Sequence, residues 1–166
     1  MDIIFADKNE KEFSKIASML GIELKFAKKV KNLYKVDDLV ISNNGSRTNF
    51  ESKQIKMFFD LENHNERDFI HQRNSGLNQI LANIAHDKEK IIGFNFSTIL
   101  NAEPEKRAQI FGRMRQNVKL CRKYKVKMFI GSFALEPFEL RGEYELKAFG
   151  SMIGMNPKEV KESLSF

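Results

Sequence analysis

Two kinds of hydrophobic pattern alternate along this chain. Short apolar runs are separated by longer segments in which apolar residues return every third or fourth position. A short apolar run is typical of a buried strand, and the longer spacing is typical of a helix that buries one face. Strands are predicted at Met1–Ala6, Ile22–Ala27, Leu39–Ser42, Ile55–Leu61, Ile91–Phe96 and Lys127–Ser132.

The segments between these strands carry helix signals. Glu10–Leu20 repeats apolar residues on one helical face and stops at Gly21, a residue type that readily ends a helix. A second helix is predicted after Ser75, whose hydroxyl suits the N-cap. Its apolar face is formed by Leu77, Ile80, Leu81, Ile84 and Ala85.

The second half of the chain contains the longest amphipathic segment. Pro104 suits the first position of this helix, because proline lacks a backbone N–H that the first turn would leave unpaired. The residues predicted to be buried there are Phe111, Met114, Val118 and Cys121. The tail, Glu143–Phe166, is predicted to be helical in two pieces that divide near Pro157.

Short apolar strands that alternate with amphipathic helices predict a mainly parallel α/β sheet, here as one domain over residues 1–166. In such folds functional residues gather at the carboxyl ends of the strands. The segments that follow strands are Asp7-Lys8, Asn43–Arg47, Glu62–Ser75, Ser97-Thr98 and Ser132–Arg141. The polar stretch RDFIHQRNSGLNQIL, residues 67–81, therefore begins where an α/β protein places a site.

Composition narrows the class of protein. Hydrophobic residues are 42% and charged residues 30% of the chain, as in ordinary globular proteins. No apolar run approaches the length of a membrane span, and the start lacks the basic-then-apolar order of a secretory signal. A single cysteine, Cys121, cannot form an internal disulfide, which predicts a reducing, cytoplasmic setting. Its place on an apolar stripe predicts a core thiol.

Positive charge is concentrated in one segment. The chain has a net charge of +6, and residues 104–127 contain nine basic residues and one acidic residue, Glu105. This excess suits a phosphate backbone, because neutralised phosphates release counterions. The alternative is a solvated helix face whose long side chains cover the edge of the core. On a helical wheel, the basic flank beside the buried stripe is formed by Arg115, Lys119, Arg122 and Lys123.

A catalytic or metal site is not evident. The Glu62–Arg73 loop contains side chains of types that bind metals, namely Glu62, His64, Glu66, Asp68 and His71. However, no H-x-H or H-E-x-x-H spacing is present, nor any nucleophile-elbow, P-loop or dinucleotide motif. Arg141 follows a strand, and its planar guanidinium suits a phosphate. An ion pair with Glu143 or Glu145 is the alternative for this arginine.

Four segments together resemble the archaeal and eukaryotic RNase P protein component 3 family, the thirty-kilodalton subunit of that ribonucleoprotein. They are RDFIHQRNSGLNQILANIA, IIGFNFSTILN, RAQIFGRMRQNVKLCRKYKVKMFIGSFA and PFELRGEYELKAFGSMIGM, in the family's order over residues 67–155. The resemblance implies a TIM-barrel-like fold related to metal-dependent phosphoesterases. It also implies a role in removing 5′ leaders from precursor tRNA, and it favours an archaeal member because eukaryotic members are longer.

The resemblance implies how the work is divided in the complex. The RNase P RNA is expected to carry the active site with Mg²⁺, so this chain is expected to hold no catalytic residue, metal or other cofactor. A small RNase P protein is the expected partner, in a paired heterodimer or a heterotetramer, with precursor tRNA in the complex and no membrane. The alternatives are a stand-alone metal-dependent phosphoesterase on the same barrel and a scaffold that contacts only protein.

Specific residues follow from the family's motifs. Arg73 and Arg141 are the first expected RNA contacts, while His71 and Asn74 are expected to touch RNA or to order the barrel mouth. The other expected RNA contacts are Arg107, Arg115, Arg122 and Lys123. Between two predicted strands, Asn43–Gln54 is too short for the strand and helix that the family fold has there. The expected barrel is therefore irregular or incomplete, with one βα unit missing.

Overall fold

The computed structural model describes residues 2–5 and 9–165, which form eight strands and seven α-helices. The strands are β1 (Asp2–Ile4), β2 (Leu24–Phe26), β3 (Lys28–Val30), β4 (Leu33–Val36), β5 (Leu39–Ser42), β6 (Ile55–Phe59), β7 (Ile91–Asn95) and β8 (Lys127–Gly131). The helices are α1 (Glu10–Leu20), α2 (Arg47–Glu51), α3 (Gln79–Asp87), α4 (Phe96–Asn101), α5 (Pro104–Tyr124), α6 (Glu143–Met152) and α7 (Pro157–Leu164), with a 3-10 turn at Pro137–Glu139. Met1, Ala6, Asp7-Lys8 and Phe166, which belong to predicted elements or strand ends, lie outside the described residues.

The predicted mainly parallel α/β sheet is confirmed. Strands β5, β6, β7 and β8 are parallel neighbours in that order, and β3 and β4 extend the same sheet as an antiparallel hairpin. β1 and β2 form a separate parallel pair. The β1–β2 pair is connected to the end of β8 by Asp2, whose carboxylate accepts hydrogen bonds from the backbone N–H and the hydroxyl of Ser132.

The two sheets share one interior. A single buried cluster contains side chains from or beside β1, β2, β4, β5, β6, β7 and β8, namely Ile3, Ala27, Val36, Ile41, Met57, Phe59, Ile91, Phe129 and Phe133. The arrangement is therefore barrel-like, although the hydrogen-bonded ladders of the described residues do not join into a closed ring. A second core, between the sheet and the helices, packs β6 to β8 against α3, α5 and α6.

Several predicted elements are confirmed. α1 covers Glu10–Leu20, and Gly21 ends it with φ of 66°. α5 begins at Pro104, and Met114, Val118 and Cys121 are buried on it as predicted. Phe111 is only partly buried, because it lies at the margin between α5 and α6. The predicted division of the tail lies at Asn156, whose side chain accepts a hydrogen bond from the Glu159 N–H in the first turn of α7.

Other predictions were wrong in their details. α3 begins at Gln79 rather than after Ser75, and the Asn78 side chain caps it by accepting from the Leu81 N–H at 2.9 Å. Ser75 is buried, and its hydroxyl donates to the Leu77 carbonyl instead. The β3–β4 hairpin and helix α4 were not predicted. Residues 43–54, where the resemblance implies a missing βα unit, contain the five-residue helix α2 and no strand.

Candidate nucleic-acid interface

The loop between β6 and α3 contains most of the predicted polar residues, and a buried arginine from α5 holds it. Arg113 has no exposed surface. Its guanidinium donates to the Asp68 carboxylate at 2.8 Å and to three backbone carbonyls, those of Glu62 at 2.9 Å, His64 at 3.0 Å and Glu66 at 2.5 Å. One side chain therefore pairs four acceptors of a segment that has no helix or strand of its own.

The next turn of α5 holds the other end of the loop. The Asn117 amide donates to the Glu62 carboxyl at 2.6 Å and to the Ser75 carbonyl at 2.9 Å. Gln116 accepts from the Arg73 N–H at 3.1 Å and donates to the Arg73 carbonyl at 2.8 Å. These bonds explain the polar residues near the helix entrance, since the loop is ordered by side chains rather than by a ladder.

Burial and pairing set the charges within the loop. Burial raises the pKa of Glu62 to about 7, and the hydrogen bond from Asn117 offsets this only in part. Burial also opposes ionisation of Asp68, but hydrogen bonds from Arg113 and Asn74 outweigh it and lower the pKa of that carboxyl. The Asp68 carboxylate is therefore charged at neutral pH and pairs with both Arg113 and Arg73.

A basic groove lies on the outer side of α5, where the loop meets it. It encloses about 680 Å³ and is lined by His71, Gln72, Arg73, Ala108, Phe111, Gly112, Arg115, Gln116, Lys119 and Met152. The Arg73 guanidinium lies directly over Gly112, where a Cβ atom would approach its Cζ to 2.3 Å. Asp68 accepts from the Arg73 Nη1 at 3.3 Å and sets the direction of this side chain.

Of the predicted RNA contacts, the structure brings His71, Arg73 and Arg115 together in this groove. Lys119, one helical turn beyond Arg115, adds a fourth basic side chain that the helical wheel had indicated. Asn74 lies outside the groove and bonds to Asp68 and Glu66, so it orders the loop.

The remaining predicted contacts are dispersed along α5 and beyond it. Arg107 donates to the carbonyls of Leu100 and Ala102 at the end of α4. Arg122 makes a bidentate pair with Glu159 of α7, with both distances at 2.7 Å. Lys123 is exposed near the end of α5. These three residues remain predictions as RNA contacts, and the first two also join neighbouring elements.

Arg141 has a different environment from the groove. Its guanidinium donates to the carbonyls of Phe138 and Leu140 and lies 5.2 Å from the centre of the Phe96 ring. Among the described residues, Glu143 pairs with Lys147 at 2.6 Å rather than with Arg141. The arginine therefore orders the turn after β8, and RNA contact by Arg141 stays a prediction.

Sequence reasoning missed the residues that hold the loop. Arg113 was counted only as a positive charge, and Asn117 was not considered. Both stand immediately before residues of the buried stripe of α5, Met114 and Val118. A charged and an amide residue spaced four apart beside such a stripe predict a buried polar partner. That spacing was the available signal.

The described residues contain neither a candidate metal centre nor a membrane-spanning helix. In residues 2–5 and 9–165, no group of three or more His, Cys, Asp or Glu side chains is placed to hold a metal ion. None of the helices found there is long and apolar enough to cross a membrane.

The fold and the groove together define the class of protein. It is a mainly parallel α/β protein with a barrel-like interior and a preformed basic groove outside that interior. A family model described as RNase P subunit p30 matches residues 8–165. The chain therefore belongs to the RNase P subunit p30 family, as the sequence motifs predicted.

Curated relatives agree with this assignment. The chain is 39% identical to Ribonuclease P protein component 3 of Thermococcus kodakarensis over 95 residues, covering 57% of this chain and 43% of that protein. It is 30% identical to the protein of the same name from Methanosarcina acetivorans over 128 residues, covering 77% and 52%. The chain spans about half the length of the curated relatives it matches.

A solved structure supports the fold. A chain in a cryo-EM structure of archaeal Ribonuclease P with mature tRNA is similar to this one with a TM-score of 0.65 and 20% sequence identity. The likeness covers 96% of this chain and 74% of that chain. A solved protein therefore shares the fold of nearly the whole of this chain.

Proposed function

We propose that this chain is a protein subunit of ribonuclease P and supports the catalytic RNA in removing 5′ leaders from precursor tRNA. The observation that carries the proposal is the basic groove on α5, with Arg73, Arg115 and Lys119 along one preformed surface. Family membership and the fold shared with a chain of archaeal Ribonuclease P support it.

The groove suits a phosphate backbone for two physical reasons. Arg73 is held in place by Asp68 and Gly112 before any ligand arrives, so little side-chain freedom is lost on binding. Arg115 and Lys119 are both exposed and lie about 6 Å apart along the helix axis, as expected for a spacing of four residues. Their charges are therefore available to successive contacts on one strand of RNA.

The proposal includes the other members of the complex. The chain works with RNase P RNA, precursor tRNA and a small RNase P protein, as a heterodimer or a heterotetramer. Mg²⁺ acts at the RNA active site, and the chain itself holds no catalytic group. The work takes place in the cytoplasm, in keeping with Cys121 as a free, buried thiol.

The test is cleavage of precursor tRNA by the cognate RNA at low Mg²⁺, with and without this chain and its small partner. We expect stimulation that needs the RNA, the chain and the partner together. Cleavage by the chain alone that a chelator abolishes would instead favour the phosphoesterase alternative. Absence of any effect in the complete mixture would overturn the proposal.

Variants of the groove locate the contact. Arg73→Ala and Arg115→Ala are each expected to lower RNA affinity and to reduce the slope of log K against log salt by about 1. Arg47→Ala is the matched control, because Arg47 is an exposed arginine of α2 that pairs with Glu51 outside the groove. A salt slope unchanged in both groove variants would favour a scaffold that contacts only protein. Arg141→Ala is also expected to reduce cleavage of precursor tRNA. The thermal stability of this variant is measured in parallel.

A further inference from the structure

A second cavity lies at the carboxyl ends of the strands and shares no lining residue with the basic groove. It encloses about 550 Å³, within the range of small-molecule sites. We refer to it as the strand-end cavity and define it by Phe5, Lys29, Tyr34, Asp60, Asn95 and Lys106. The proposed function makes no use of it.

The floor of the strand-end cavity is aromatic. The rings of Phe5, Phe59 and Phe133 are stacked on one another, with centroid distances of 4.9, 5.3 and 5.6 Å. Tyr34 meets the Phe5 ring edge-on at 4.7 Å. Because Phe5 is only half-buried, this stack presents a flat apolar surface to the cavity. Such a surface suits a planar ring as ligand.

The wall beside this floor has both hydrogen-bond donors and acceptors. The Asp60 carboxylate accepts from the Asn95 amide at 3.0 Å and from the Thr98 hydroxyl at 2.5 Å. Asn95 keeps a second amide hydrogen, and each Asp60 oxygen keeps a lone pair. Ser97, which is 3% exposed, also lines the cavity. This wall can therefore pair with a ligand edge that carries donors and acceptors.

Two lysines complete the chemistry. Lys29 on β3 and Lys106 on α5 both line the cavity. Lys106 donates hydrogen bonds to the His64 carbonyl and, at 3.5 Å, to the Asn65 amide oxygen, which leaves one of its three donors for a ligand. Cations beside an aromatic floor and an amide-bearing wall match the phosphate and the base of one nucleotide.

The backbone at the strand ends is strained where it forms this cavity. Asp60 and Phe133 have φ of 54° and 49°, in the left-handed region that non-glycine residues seldom adopt, and a bulky residue such as Phe133 less readily than aspartate. They follow β6 and β8, and both line the cavity. Strain of this kind persists where the surrounding structure requires a particular side-chain direction.

We propose that the strand-end cavity binds a single nucleotide, with the base against Phe5 and Tyr34 and the phosphate between Lys29 and Lys106. The nucleotide belongs to an unpaired stretch of RNA or is free in solution, since both share this chemistry. Binding of a nucleotide within an RNA strand rests on the proposed function, whereas binding of a free nucleotide does not.

The test uses two fluorescent probes with the full chain. One is 2-aminopurine riboside 5′-monophosphate, and the other is a five-nucleotide RNA with 2-aminopurine at its centre. Stacking on an aromatic ring quenches this fluorophore, so titration gives the affinity. Saturable quenching by the single nucleotide supports a free ligand, and quenching by the short RNA alone supports an unpaired strand. Absence of saturable quenching with both probes overturns the proposal.

Neighbouring lysines supply the matched control. In the β3–β4 hairpin Lys29 is opposite Tyr34, whereas Lys28 is opposite Lys35 on the other face. Lys29→Ala is expected to weaken probe binding roughly tenfold, as loss of a charge-assisted hydrogen bond would do, while Lys28→Ala removes the same charge without this effect. Asn43→Phe places a ring at the exposed rim and is expected to block the probe.

These variants separate the two proposals. Equal affinity in wild type, Lys29→Ala and Asn43→Phe would show that the probe binds elsewhere and would overturn the cavity assignment. The proposed function would be unaffected by that result, because it is tested by cleavage and by the groove variants Arg73→Ala and Arg115→Ala. A thermal transition measured for each variant checks that it is folded.

Discussion

Replacement of Arg113 tests the account of how the loop is held. In Arg113→Met, a side chain of similar length fills the same space but donates no hydrogen bond. The Asp68 carboxylate loses its buried partner, and the carbonyls of Glu62, His64 and Glu66 lose a donor. Removing one member of a buried ion pair costs about 3–5 kcal/mol.

We expect the free energy of unfolding to fall by about 4 kcal/mol in this variant, within the range for a broken buried pair. For a chain of this size the same change lowers the melting temperature by about 8–16 °C. Urea denaturation followed by circular dichroism measures the free energy. Hydrogen exchange of loop amides shows whether the loss of protection begins there.

Two further variants show whether the stability that Arg113 contributes comes from its charge or from the shape of its guanidinium. Arg115→Met removes an exposed arginine two residues away on α5 and is expected to change stability by less than about 0.5 kcal/mol. Arg113→Lys keeps the charge but not the planar set of donors, so its stability should lie between wild type and Arg113→Met. A stability of Arg113→Met within about 1 kcal/mol of wild type, below the cost of a broken buried pair, would refute the reasoning.

Three other predictions follow from the same region. Gly112→Ala displaces the Arg73 guanidinium, so RNA affinity should fall while the melting temperature stays the same or rises. Salt-dependent RNA binding and a thermal melt measure these two quantities. Unchanged affinity would show that the position of Arg73 is unimportant for RNA binding. Glu62 has a folded pKa of about 7, above the ordinary value of 4.5, so its contribution to stability is greatest below pH 4.5 and is lost as pH rises to 7. Urea titrations across that window should show a steeper loss of stability in wild type than in Glu62→Gln, because burial also raises the pKa values of Asp2 and Asp60, which contribute to the slope in both proteins. Arg122→Gln breaks the pair with Glu159 on the surface, so stability should fall by about 0.5–1 kcal/mol in urea denaturation; a loss of several kcal/mol would contradict an exposed pair.

The strongly periodic parts of the fold were predictable from sequence. Glu10–Leu20 was predicted with its correct ends, because an apolar face and a following glycine agree on the same boundaries. The β3–β4 hairpin was missed because lysines occupy many of its positions and hide the alternation of a strand. Its turn consists of Lys31 and Asn32, and Lys31 has a φ of 57° at the position where glycine would have been the usual signal.

The candidate site was predictable only in part, for a different reason. His71 and Arg73 were proposed from a motif and Arg115 from a helical wheel, and the structure places all three in one groove. The role of Arg113 depends on carbonyl groups of residues about fifty positions earlier in the chain. No local pattern encodes such a pairing, because it exists only once the loop has packed on α5. The strand-end cavity is likewise formed by residues from distant segments.

The lysines of β3 have a consequence for the free protein in solution. β3 is the outermost strand of the larger sheet, so within the described part of the chain its second edge has no neighbouring strand. An open edge of this kind is a template for pairing with a second molecule and so for aggregation. Lys28 and Lys29 on the strand and Lys31 in its turn place like charges along that edge, which would repel the same edge of another copy. The residues that hid the hairpin in the sequence therefore help an unclosed barrel to remain dispersed.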